Sequence, residues 1–423
     1  MKILSTQENT LQAAPVSLAS FAHTDGPAKP GDSYEVKAIT ALAELEGVRP
    51  FWDAAKPVPG ADYEHFVMAI GRRTNILSPC VLEVSQHGKT LALWPGRIET
   101  AILPLRLGYA TLGKINVRQA VFIAGGFMGL QTEATMDALL SFTSQLLLAQ
   151  KLDLAIFEHV AAASPLHGST QRVLRRGQLS PVRDDSTVWL MKLPQSYDEF
   201  LKSRSKKHRY WLKRLVSVLD REFAGKWTVK KYTSQDEARE FAEAAEMVAK
   251  STYQRSMGVG FHLNQESRER IEQEARGGRL RGYLLWLENE PKAFWHCFVH
   301  QDTLYLAATG YDPGLAGYEL GTVLLMKIFQ EYCGTEVATV NFGLGDAGYK
   351  QRFASDHFVL TTLYVFSRTL RGLRLNVLRS SLAFSTKLGK AVLNRLQVTQ
   401  RVKTLWRRRM RARNTTDSAA AAA

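Results

Sequence analysis

Three short apolar runs joined by tight turns constrain the fold more than any other feature of this sequence. The runs are RLRGYLLWL, KAFWHCFVH and TLYLAATGYD, and the turns between them are ENEP and QD. Runs of this length, bounded by turn residues, are typical of antiparallel strands. After the loop PGLAGYELG, the sequence predicts a helix from Thr322 to about Tyr332, the strand VATVNF, the glycine-rich segment GLGDAGYKQRF and a last strand, HFVLTTLYVFSR. This order predicts a mixed α/β unit.

The preceding part of the chain alternates in the same way. Apolar runs between Phe66 and Gly108 predict strands, Met136–Gln150 predicts a helix, and LDLAIFEHV predicts the strand after it. The capping box Ser234–Glu237 opens another helix, and Asn264 and Gly277 bracket a further one. We therefore predict four regions: a disordered segment over residues 1–33, a first α/β unit over 34–195, a second over 196–369 and a basic tail over 370–423.

Cysteine usage and the N-terminus indicate a reducing compartment. Cys80, Cys297 and Cys333 are odd in number and widely spaced, without a cysteine and histidine cluster at metal-ligand spacing. This pattern argues against a disulfide framework and against a zinc module, so no metal is predicted. The N-terminus lacks the features of a secretory signal, and no apolar run reaches the roughly 18 residues of a spanning helix. We predict a cytoplasmic protein.

Positive charge is concentrated at the C-terminus. The chain has 55 Lys and Arg against 40 Asp and Glu, and fourteen of the basic residues lie between His357 and Thr416, where there is no acid. Apolar residues are spaced among them at mostly helical intervals: Leu378, Leu382, Val392, Leu396, Val402, Trp406 and Met410. A basic amphipathic helix of this kind predicts peripheral attachment of residues 370–413 to an anionic membrane surface, at the inner membrane. Nucleic acid is the competing polyanion, and a helix packed on its own domain is the structural alternative.

The order of elements from Arg279 to Arg368 resembles the GNAT acyltransferase superfamily. Three motifs bring the resemblance close to its CelD/BcsL type, which acts in cellulose and exopolysaccharide biosynthesis and is allied to the FemAB aminoacyltransferases: ATGYDP, AGYELGTVLL and NFGLGDAGYKQRF. The resemblance implies an α/β (α+β) fold of two tandem GNAT-like units, the first of them degenerate, followed by the basic tail. It also implies an acyltransferase with acetyl-CoA or another acyl-CoA as donor.

The donor is expected at the turn that precedes the helix of AGYELGTVLL. Gly317 and Gly321 flank this turn, and Tyr311 lies just before it. Backbone N–H groups at a helix N-terminus suit a pyrophosphate or a developing oxyanion. Ala316 and Glu319 stand where the superfamily usually has a basic residue and a glycine, and the carboxylate of Glu319 would repel phosphate. Two glycines that make an ordinary turn are the alternative.

The glycine-rich segment supplies the candidate catalytic residues. Asp346, Tyr349 and Lys350 place a carboxylate, a phenol and an ammonium within five residues. Acyl transfer needs a base for the proton of the nucleophile and a cation or donor for the oxyanion, roles that fit Asp346 and Lys350. His296, on the middle strand, is a second candidate base. The structural alternatives are a helix-capping Asp346, a solvated Lys350 and a core His296.

A basic run opens the second unit and is the candidate site for the acceptor. Arg204, Arg209 and Arg214 are among seven cations between Glu199 and Asp220, and Tyr210 lies among them. Such a run can hold a small-molecule, nucleotide-linked or lipid-linked glycan acceptor through its phosphates, while Tyr210 stacks on a base or sugar. A solvated helix face is the alternative explanation.

Together these features predict an acyltransferase that acts on an exopolysaccharide or cell-envelope glycan, by N- or O-transfer. Transfer would be direct, because no Cys or Ser lies in a nucleophile motif. Two other functions stay open. An aminoacyl-tRNA-dependent ligase of the FemAB kind would share the fold and would make tRNA a partner. A non-catalytic assembly or surface-binding protein would use the two units as a scaffold.

Overall fold

The computed structural model describes residues 34–395 except residues 109, 253–254 and 256–259. The segment predicted to be disordered, 1–33, and the basic residues beyond 395 lie outside the described residues. The described chain divides into two compact units. The first unit comprises residues 34–187 and 358–395, and the second unit comprises residues 188–357. The boundaries that the sequence suggested at 195 and 369 stay predictions about domains.

The first unit contains most of the N-terminal half of the chain. Its strands and helices are, in chain order, β1 Glu35–Ile39, α1 Arg49–Ala55, α2 Tyr63–Arg72, β2 Ile76–Pro79, β3 Val81–Gln86, β4 Lys89–Trp94, β5 Gly96–Leu107, β6 Ala110–Phe122, β7 Met128–Gly129, α3 Glu133–Ala149, β8 Leu154–Ala161 and α4 Pro165–Val173. Strand β9, Asp184–Lys192, then leads into the second unit.

The second unit is built from the elements that follow β9. They are α5 Tyr197–Lys202, α6 Lys206–Glu222, β10 Trp227–Tyr232, α7 Gln235–Ser251, α8 Gln265–Arg276, β11 Leu280–Leu287, β12 Glu290–His300, β13 Thr303–Tyr311, α9 Leu320–Tyr332, β14 Thr339–Leu344 and α10 Gly348–Phe353. A 3-10 helix, Pro313–Tyr318, precedes α9. Strand β15, Asp356–Phe366, returns to the first unit, and helix α11, Leu370–Arg395, ends the described chain.

The helix starts follow the local sequence. Ser234 and Glu237 form the predicted capping box of α7, and the side chain of Asn264 caps α8, which ends at Gly277. Helix α3 begins three residues before the predicted start because Thr132 caps it. The helical stretch predicted after Tyr197 is divided into α5 and α6, since Ser205 accepts a hydrogen bond from the His208 N–H and starts a new helix.

Each unit has its own strand pairing. In the second unit the strand order is β10-β11-β12-β13-β14-β9, antiparallel except for the parallel pair β13 and β14. In the first unit one sheet has the order β15-β8-β6-β5-β2, with β6 and β8 parallel, and a second sheet has the order β1-β3-β4-β7. The predicted three-stranded meander is thus β11, β12 and β13.

The two units repeat one order of elements. An antiparallel strand pair is followed by a helix, a parallel strand and a short helix: β5, β6, α3, β8 and α4 in the first unit, and β12, β13, α9, β14 and α10 in the second. The strand after each short helix pairs in the other unit, because β9 pairs with β14 and β15 pairs with β8. The predicted mixed α/β fold is confirmed.

Strand β12 has two buried faces in the second unit. Trp295 and Cys297 belong to the core that packs against α9, whereas Phe294 belongs to the core that packs against α7 and α8. This alternation is the ordinary consequence of the two-residue period of a strand. Residues on the two faces of β12 therefore lie in different cores.

Candidate functional site

The parallel strands β13 and β14 separate after a short pairing. They pair only where Thr303–Tyr305 meets Thr339–Asn341, although β13 continues to Tyr311 and β14 continues to Leu344. Beyond Tyr305, the backbone of β13 is therefore not hydrogen-bonded to β14. The separation creates an opening in the sheet, and the elements that follow both strands supply the candidate residues around it.

Helix α9 begins without a side-chain cap. Its N-cap residue, Glu319, has a left-handed backbone with φ 52° and makes no side-chain capping bond. The N–H groups of Thr322 and Val323 both donate to the Glu319 carbonyl. Within the described part of the chain, the N–H groups of Leu320 and Gly321 have no acceptor. The positive end of the helix dipole thus presents two free donors.

The predicted donor-binding residues lie close to this helix start. Gly317 has open space around it, and a Cβ added to Gly321 would lie 3.7 Å from Cδ1 of Tyr311. Tyr311 is 37% exposed. The structure therefore brings Tyr311 and Gly321 together at the N-terminus of α9. The carboxylate of Glu319 is also there, where it accepts a hydrogen bond from the Thr322 hydroxyl at 3.1 Å.

Trp295 connects the start of α9 to the glycine-rich segment. Its indole Nε1–H donates to the Gly321 carbonyl at 3.0 Å, and its ring contacts Tyr349 edge to face at 5.9 Å. Tyr349 also contacts Phe342 of β14. Sequence reasoning did not select Trp295, although the strand alternation already set it on the face opposite His296. It is the residue that holds the two predicted motifs beside each other.

Lys350 is the residue of the glycine-rich segment whose pKa is shifted most. It is buried, and its ammonium Nζ donates to the Leu344 carbonyl at 2.6 Å. Burial lowers the pKa of the Lys350 amine from 10.5 to about 8, while the carboxylate of Asp346 acts in the opposite direction. The pKa of this amine therefore lies well below that of a solvated lysine.

Asp346 lies in the loop between β14 and α10. Its side chain is exposed, and α10 is preceded by Ala347 without a side-chain cap, so Asp346 does not cap this helix. Gly343 and Gly345 have positive φ angles of 70° and 96°, which a residue with a Cβ adopts only with strain. These glycines turn the chain so that Asp346 and the buried Lys350 are close enough to interact.

His296 is not placed with this group. It is fully buried, and its Nε2 lies 2.6 Å from Oε2 of Glu274, which is buried as well. Its neighbours are Phe241 and Phe261, in the core under α7 and α8. His296 therefore does not face the opening: strand alternation directs it away from Trp295 and into a hydrogen-bonded core pair, which is the structural alternative that the sequence offered for this residue.

Arg204 has a structural contact within the second unit. Its guanidinium donates to the carbonyls of Arg352 and Phe353 at the end of α10, and it stacks on Phe200. Burial lowers the pKa of Arg204. Arg204 thus satisfies the C-terminal carbonyls of the helix that carries Lys350, a contact that sequence reasoning missed because the residues are far apart in the chain.

The other predicted acceptor residues are on the outer side of α6. Arg209 is half-buried, and Tyr210 and Arg214 are exposed. Among the described residues these three side chains make no hydrogen bond or ion pair. Acceptor binding by this run stays a prediction.

The first unit has an opening at the corresponding place. Strands β6 and β8 pair over Gln119–Phe122 and Leu154–Phe157 and then separate. A small cavity follows, lined by Trp94, Gly125, Phe127, Gln131, Glu158, His159 and Val160. Burial raises the pKa of the Glu158 carboxyl, and Arg97 opposes the shift. Thr132 and Thr135 cap α3 reciprocally, so the Thr135 N–H of this helix start has a side-chain acceptor.

The described residues contain neither a metal-ligand cluster nor a membrane-spanning helix. No group of three or more His, Cys, Asp or Glu side chains in this part of the chain is arranged to hold a metal ion. None of its helices has the length and apolar character needed to cross a bilayer.

Comparison with known proteins places the site in a family. Residues 206–351 match the model of an acetyltransferase (GNAT) domain. No curated protein sequence matches the chain significantly. Similar solved structures include a conserved protein of unknown function from Bacteroides thetaiotaomicron VPI-5482, with 9% identity, a TM-score of 0.48, and coverage of 79% of this chain and 100% of that one.

Two further solved structures are similar over most of the chain. FemX is 11% identical, with a TM-score of 0.49, and the match covers 78% of this chain and 97% of FemX. A tandem GNAT protein from the clavulanic acid biosynthesis pathway is 10% identical, with a TM-score of 0.42 and coverage of 78% and 98%. Likenesses at these scores carry no conclusion about activity or substrate.

The family match covers the elements that build the site. It runs from the start of α6 into α10, and so includes β12, β13, the uncapped start of α9 and Lys350. Residues 206–351 therefore match a GNAT acetyltransferase domain, and the predicted enzyme class, an acyltransferase, is confirmed.

Proposed function

We propose that this protein transfers an acyl group from acetyl-CoA or another acyl-CoA to an amine or hydroxyl group of a glycan precursor, as a CelD/BcsL-type enzyme of exopolysaccharide or cell-envelope biosynthesis. One observation carries the proposal: Trp295 holds the uncapped start of α9 beside the segment that contains Tyr349 and Lys350. The domain family supports the acyl transfer. The glycan acceptor rests on the sequence resemblance and on the basic run of α6.

The start of α9 fits the phosphates of an acyl-CoA through its backbone. The N–H groups of Leu320 and Gly321, which have no acceptor among the described residues, lie at the positive end of the helix, and no atom lies within 4 Å of a Cβ added to Gly317. These are the donors that anions bind at helix N-termini. Glu319 opposes this fit by one negative charge, so the net affinity depends on the amides outweighing that carboxylate.

The residues around the opening divide the chemistry of transfer between them. The acceptor's nitrogen or oxygen forms a bond to the thioester carbonyl carbon, the carbon–sulfur bond breaks, and the coenzyme leaves as a thiolate that takes a proton from solvent. Asp346, exposed at the opening, takes the proton that the acceptor loses. The ammonium of Lys350, charged below about pH 8, stabilises the negative charge that develops on the carbonyl oxygen. Tyr349 holds the segment against Trp295.

Donor binding and transfer are tested with two acceptors that differ in one group. Isothermal titration calorimetry measures acetyl-CoA binding, and release of free thiol measures transfer to UDP-glucosamine, which has a free amine, or to UDP-N-acetylglucosamine, which has only hydroxyls. We expect binding of acetyl-CoA and thiol release with one acceptor, lost in Lys350→Met and kept in Lys89→Met, an exposed lysine of the first unit. Binding without any transfer to glycan precursors would favour the non-catalytic alternative.

Glu319 favours a second candidate, an aminoacyl-tRNA-dependent ligase of the FemAB kind. A carboxylate at the start of α9 disfavours a pyrophosphate in this place, and an aminoacyl ester carries none there. Calorimetry with acetyl-CoA and filter binding with aminoacyl-tRNA separate the two donors. Micromolar affinity for acetyl-CoA and none for aminoacyl-tRNA supports the main proposal, whereas the reverse result assigns the protein to the ligases.

We also propose that the enzyme works in the cytoplasm at the inner surface of the membrane, where a lipid-linked acceptor would be available. The basic segment 370–413 supports this location through its thirteen Lys and Arg residues and its lack of any acid. Fractionation of cells that express the full chain tests it: recovery with the membrane fraction, and release by high salt, is the expected result.

A further inference from the structure

Helix α11 is fastened to the first unit along one face. Arg371 pairs with Asp153 at 2.7 Å, and Asn376 donates to the carbonyls of Gly177 and Leu179. Arg379 pairs with Asp184 and lies over the ring of Tyr364. Leu375 is buried in the core under β5 and β6. The described part of the predicted tail is thus a packed helix, held by contacts from several elements.

The opposite face of α11 is apolar and exposed. The side chains of Leu370, Val377, Phe384 and Leu388 are 65%, 66%, 68% and 57% exposed. Their spacing of seven, seven and four residues sets them on one side of a helix. Apolar residues at helical spacing normally face a core. Because the buried face of α11 is already occupied, this second stripe has no partner within the described part of the chain.

The hairpin of β5 and β6 adds exposed apolar residues beside this helix. The Thr386 hydroxyl accepts a hydrogen bond from the Gly108 N–H, which fixes the hairpin turn against the C-terminal half of α11. Leu107 and Leu112 near that turn are exposed. Of the fifteen exposed large apolar side chains in the described residues, eight lie on this hairpin or on α11: Ile102, Leu107, Leu112, Leu370, Val377, Leu378, Phe384 and Leu388.

Both segments have positive charge and no acid. The sequence has no Asp or Glu from Thr100 to Thr132, or from His357 to Thr416. Lys114, Arg374 and Lys387 are exposed, and within the described residues they form no ion pair. An exposed apolar stripe flanked by unpaired cations matches the boundary between the anionic headgroups and the acyl chains of a bilayer.

We propose that the exposed stripe of α11 and the tip of the hairpin β5–β6 together form a membrane-docking surface that binds an anionic bilayer. The inference deepens the membrane location in the proposed function and names the residues that insert: Val377, Phe384 and Leu388 on the helix and Leu107 and Leu112 on the hairpin. It is independent of acyl transfer, because binding to vesicles requires neither donor nor acceptor.

Charge distinguishes a bilayer from a second copy of this chain. A symmetric dimer through α11 would bring two acid-free, basic faces together, and like charges in contact are destabilising. Nucleic acid would satisfy the cations but would leave Val377, Phe384 and Leu388 in water. An anionic lipid surface satisfies both the cations and the apolar side chains.

Vesicle flotation with the full chain tests the proposal. The probes are vesicles of phosphatidylcholine alone and vesicles with roughly one third phosphatidylglycerol. We expect binding only to the anionic vesicles, and a loss of about tenfold or more in partition coefficient for Phe384→Ser with Leu388→Ser, since each buried apolar side chain contributes a large share of insertion energy. Leu107→Ser with Leu112→Ser should lower binding as well, by less.

Matched controls separate docking from general hydrophobicity and from unfolding. Leu42→Ser with Met247→Ser removes exposed apolar side chains elsewhere and should leave vesicle binding unchanged. Circular dichroism melting curves should be equal for all variants, because every substituted side chain is exposed. The proposal is overturned if the α11 and hairpin variants bind anionic vesicles like the parent chain, or if Phe384→Ser with Leu388→Ser instead converts a dimer to a monomer in sedimentation equilibrium.

Discussion

In both units the sheet has an opening where two parallel strands separate, but the residues around the two openings differ. In both, a parallel strand pair separates after a few residues and a helix follows the first of the two strands. In the first unit that helix begins with the Thr132 and Thr135 capping box, and the half-buried carboxyl of Glu158 lines the cavity. In the second unit the helix start is uncapped and a buried amine, Lys350, lies in the segment after β14.

This difference bears on which unit would hold the proposed anionic donor. The Thr132 side chain accepts the Thr135 N–H at the start of α3, and the Glu158 carboxyl lines the cavity, so the first unit is less suited than the second to a coenzyme with a pyrophosphate. The second unit offers free amides and a cation. The same order of elements thus carries different residues at the two openings, and this difference favours the second unit as the site of the proposed donor.

The largest expected effect comes from replacing the ionisable side chain at each opening by a neutral one. Lys350→Met should lower kcat/KM for acyl transfer by about 10²- to 10³-fold, because a preorganised donor to the oxyanion is lost. Stability should be kept or increased, because burial of the amine disfavours its charged form. Glu158→Gln in the first unit should change kcat/KM by less than about threefold. Steady-state kinetics and thermal melting of both variants decide this comparison.

If Glu158→Gln impairs transfer as much as Lys350→Met, the proposed difference between the two units is wrong. Such a result would place chemistry in the first unit as well, and the openings would then be two working sites. A loss of activity in Lys350→Met accompanied by a lower melting temperature would instead assign Lys350 a structural role.

The pH dependence of transfer should report on Lys350 directly. Its amine has a pKa of about 8 in the folded protein, so the cation that stabilises the oxyanion is present below pH 8 and is lost above it. We expect kcat/KM to fall as pH rises through about 8, and this fall to be absent in Lys350→Met. A rise through the same pH would make the neutral amine the active form and transfer the role of base from Asp346 to Lys350.

The lowered pKa of Lys350 also makes the free energy of unfolding depend on pH. The unfolded chain binds the Lys350 proton up to pH 10.5, whereas the folded chain releases it near pH 8. Stability therefore rises with pH between these two values, because the unfolded state binds more protons there. Urea unfolding of the parent chain and of Lys350→Met across this window checks the sign: the rise should be smaller in the variant.

The next effect concerns donor binding at the start of α9. Gly321→Asp adds a carboxylate in the first turn of a helix, where negative charge stabilises the helix but repels phosphate. We expect about a tenfold loss of acetyl-CoA affinity in calorimetry, with an unchanged or slightly higher melting temperature. Gly321→Ala is the control, because a Cβ there has ordinary contact distance to Tyr311. Equal affinities for both variants would exclude this helix start as the phosphate site.

Removing the side-chain cap of α3 in the first unit should lower stability and leave donor affinity unchanged, the reverse of the effect of Gly321→Asp. Thr132→Ala removes the side-chain acceptor for the Thr135 N–H and should cost about 1 kcal/mol of unfolding free energy. Acetyl-CoA affinity should be unchanged, because the proposed donor site lies in the second unit. Urea unfolding and calorimetry on one preparation separate the two readouts. A weaker affinity in this variant would show that the first unit takes part in donor binding.

Local signals predicted most of the fold. The capping box at Ser234, the Asn264 cap and the three meander strands are all set by residues a few positions apart, and each was found where the sequence indicated. The pairing of β9 with β14 and of β15 with β8 was not predictable, because these partners are far apart in the chain and both apolar strands suit either neighbour.

For the candidate site, too, proximity within one segment could be predicted from the sequence, whereas contacts between separate elements could not. Asp346, Tyr349 and Lys350 share one short segment, so their proximity was evident from the sequence. The partner of His296, Glu274, and the contact of Arg204 with the end of α10 depend on packing between separate elements. Alternation along β12 already implied that His296 and Trp295 face opposite ways, which is the signal that would have excluded the histidine and selected the tryptophan.

The smallest effect comes from Glu319, the one feature of the second opening that resembles the first. Glu319→Gln removes the negative charge at the start of α9 and should raise acetyl-CoA affinity by roughly fivefold, with a weaker dependence on salt. Glu319→Gly should raise it similarly and also increase stability by up to about 1 kcal/mol, because glycine adopts the left-handed backbone of this residue without strain. Calorimetry at low and moderate salt, with melting curves, separates charge from strain. If Glu319→Gln weakens acetyl-CoA binding instead, the carboxylate contributes to the site, and the donor is then a molecule without phosphate at the helix start.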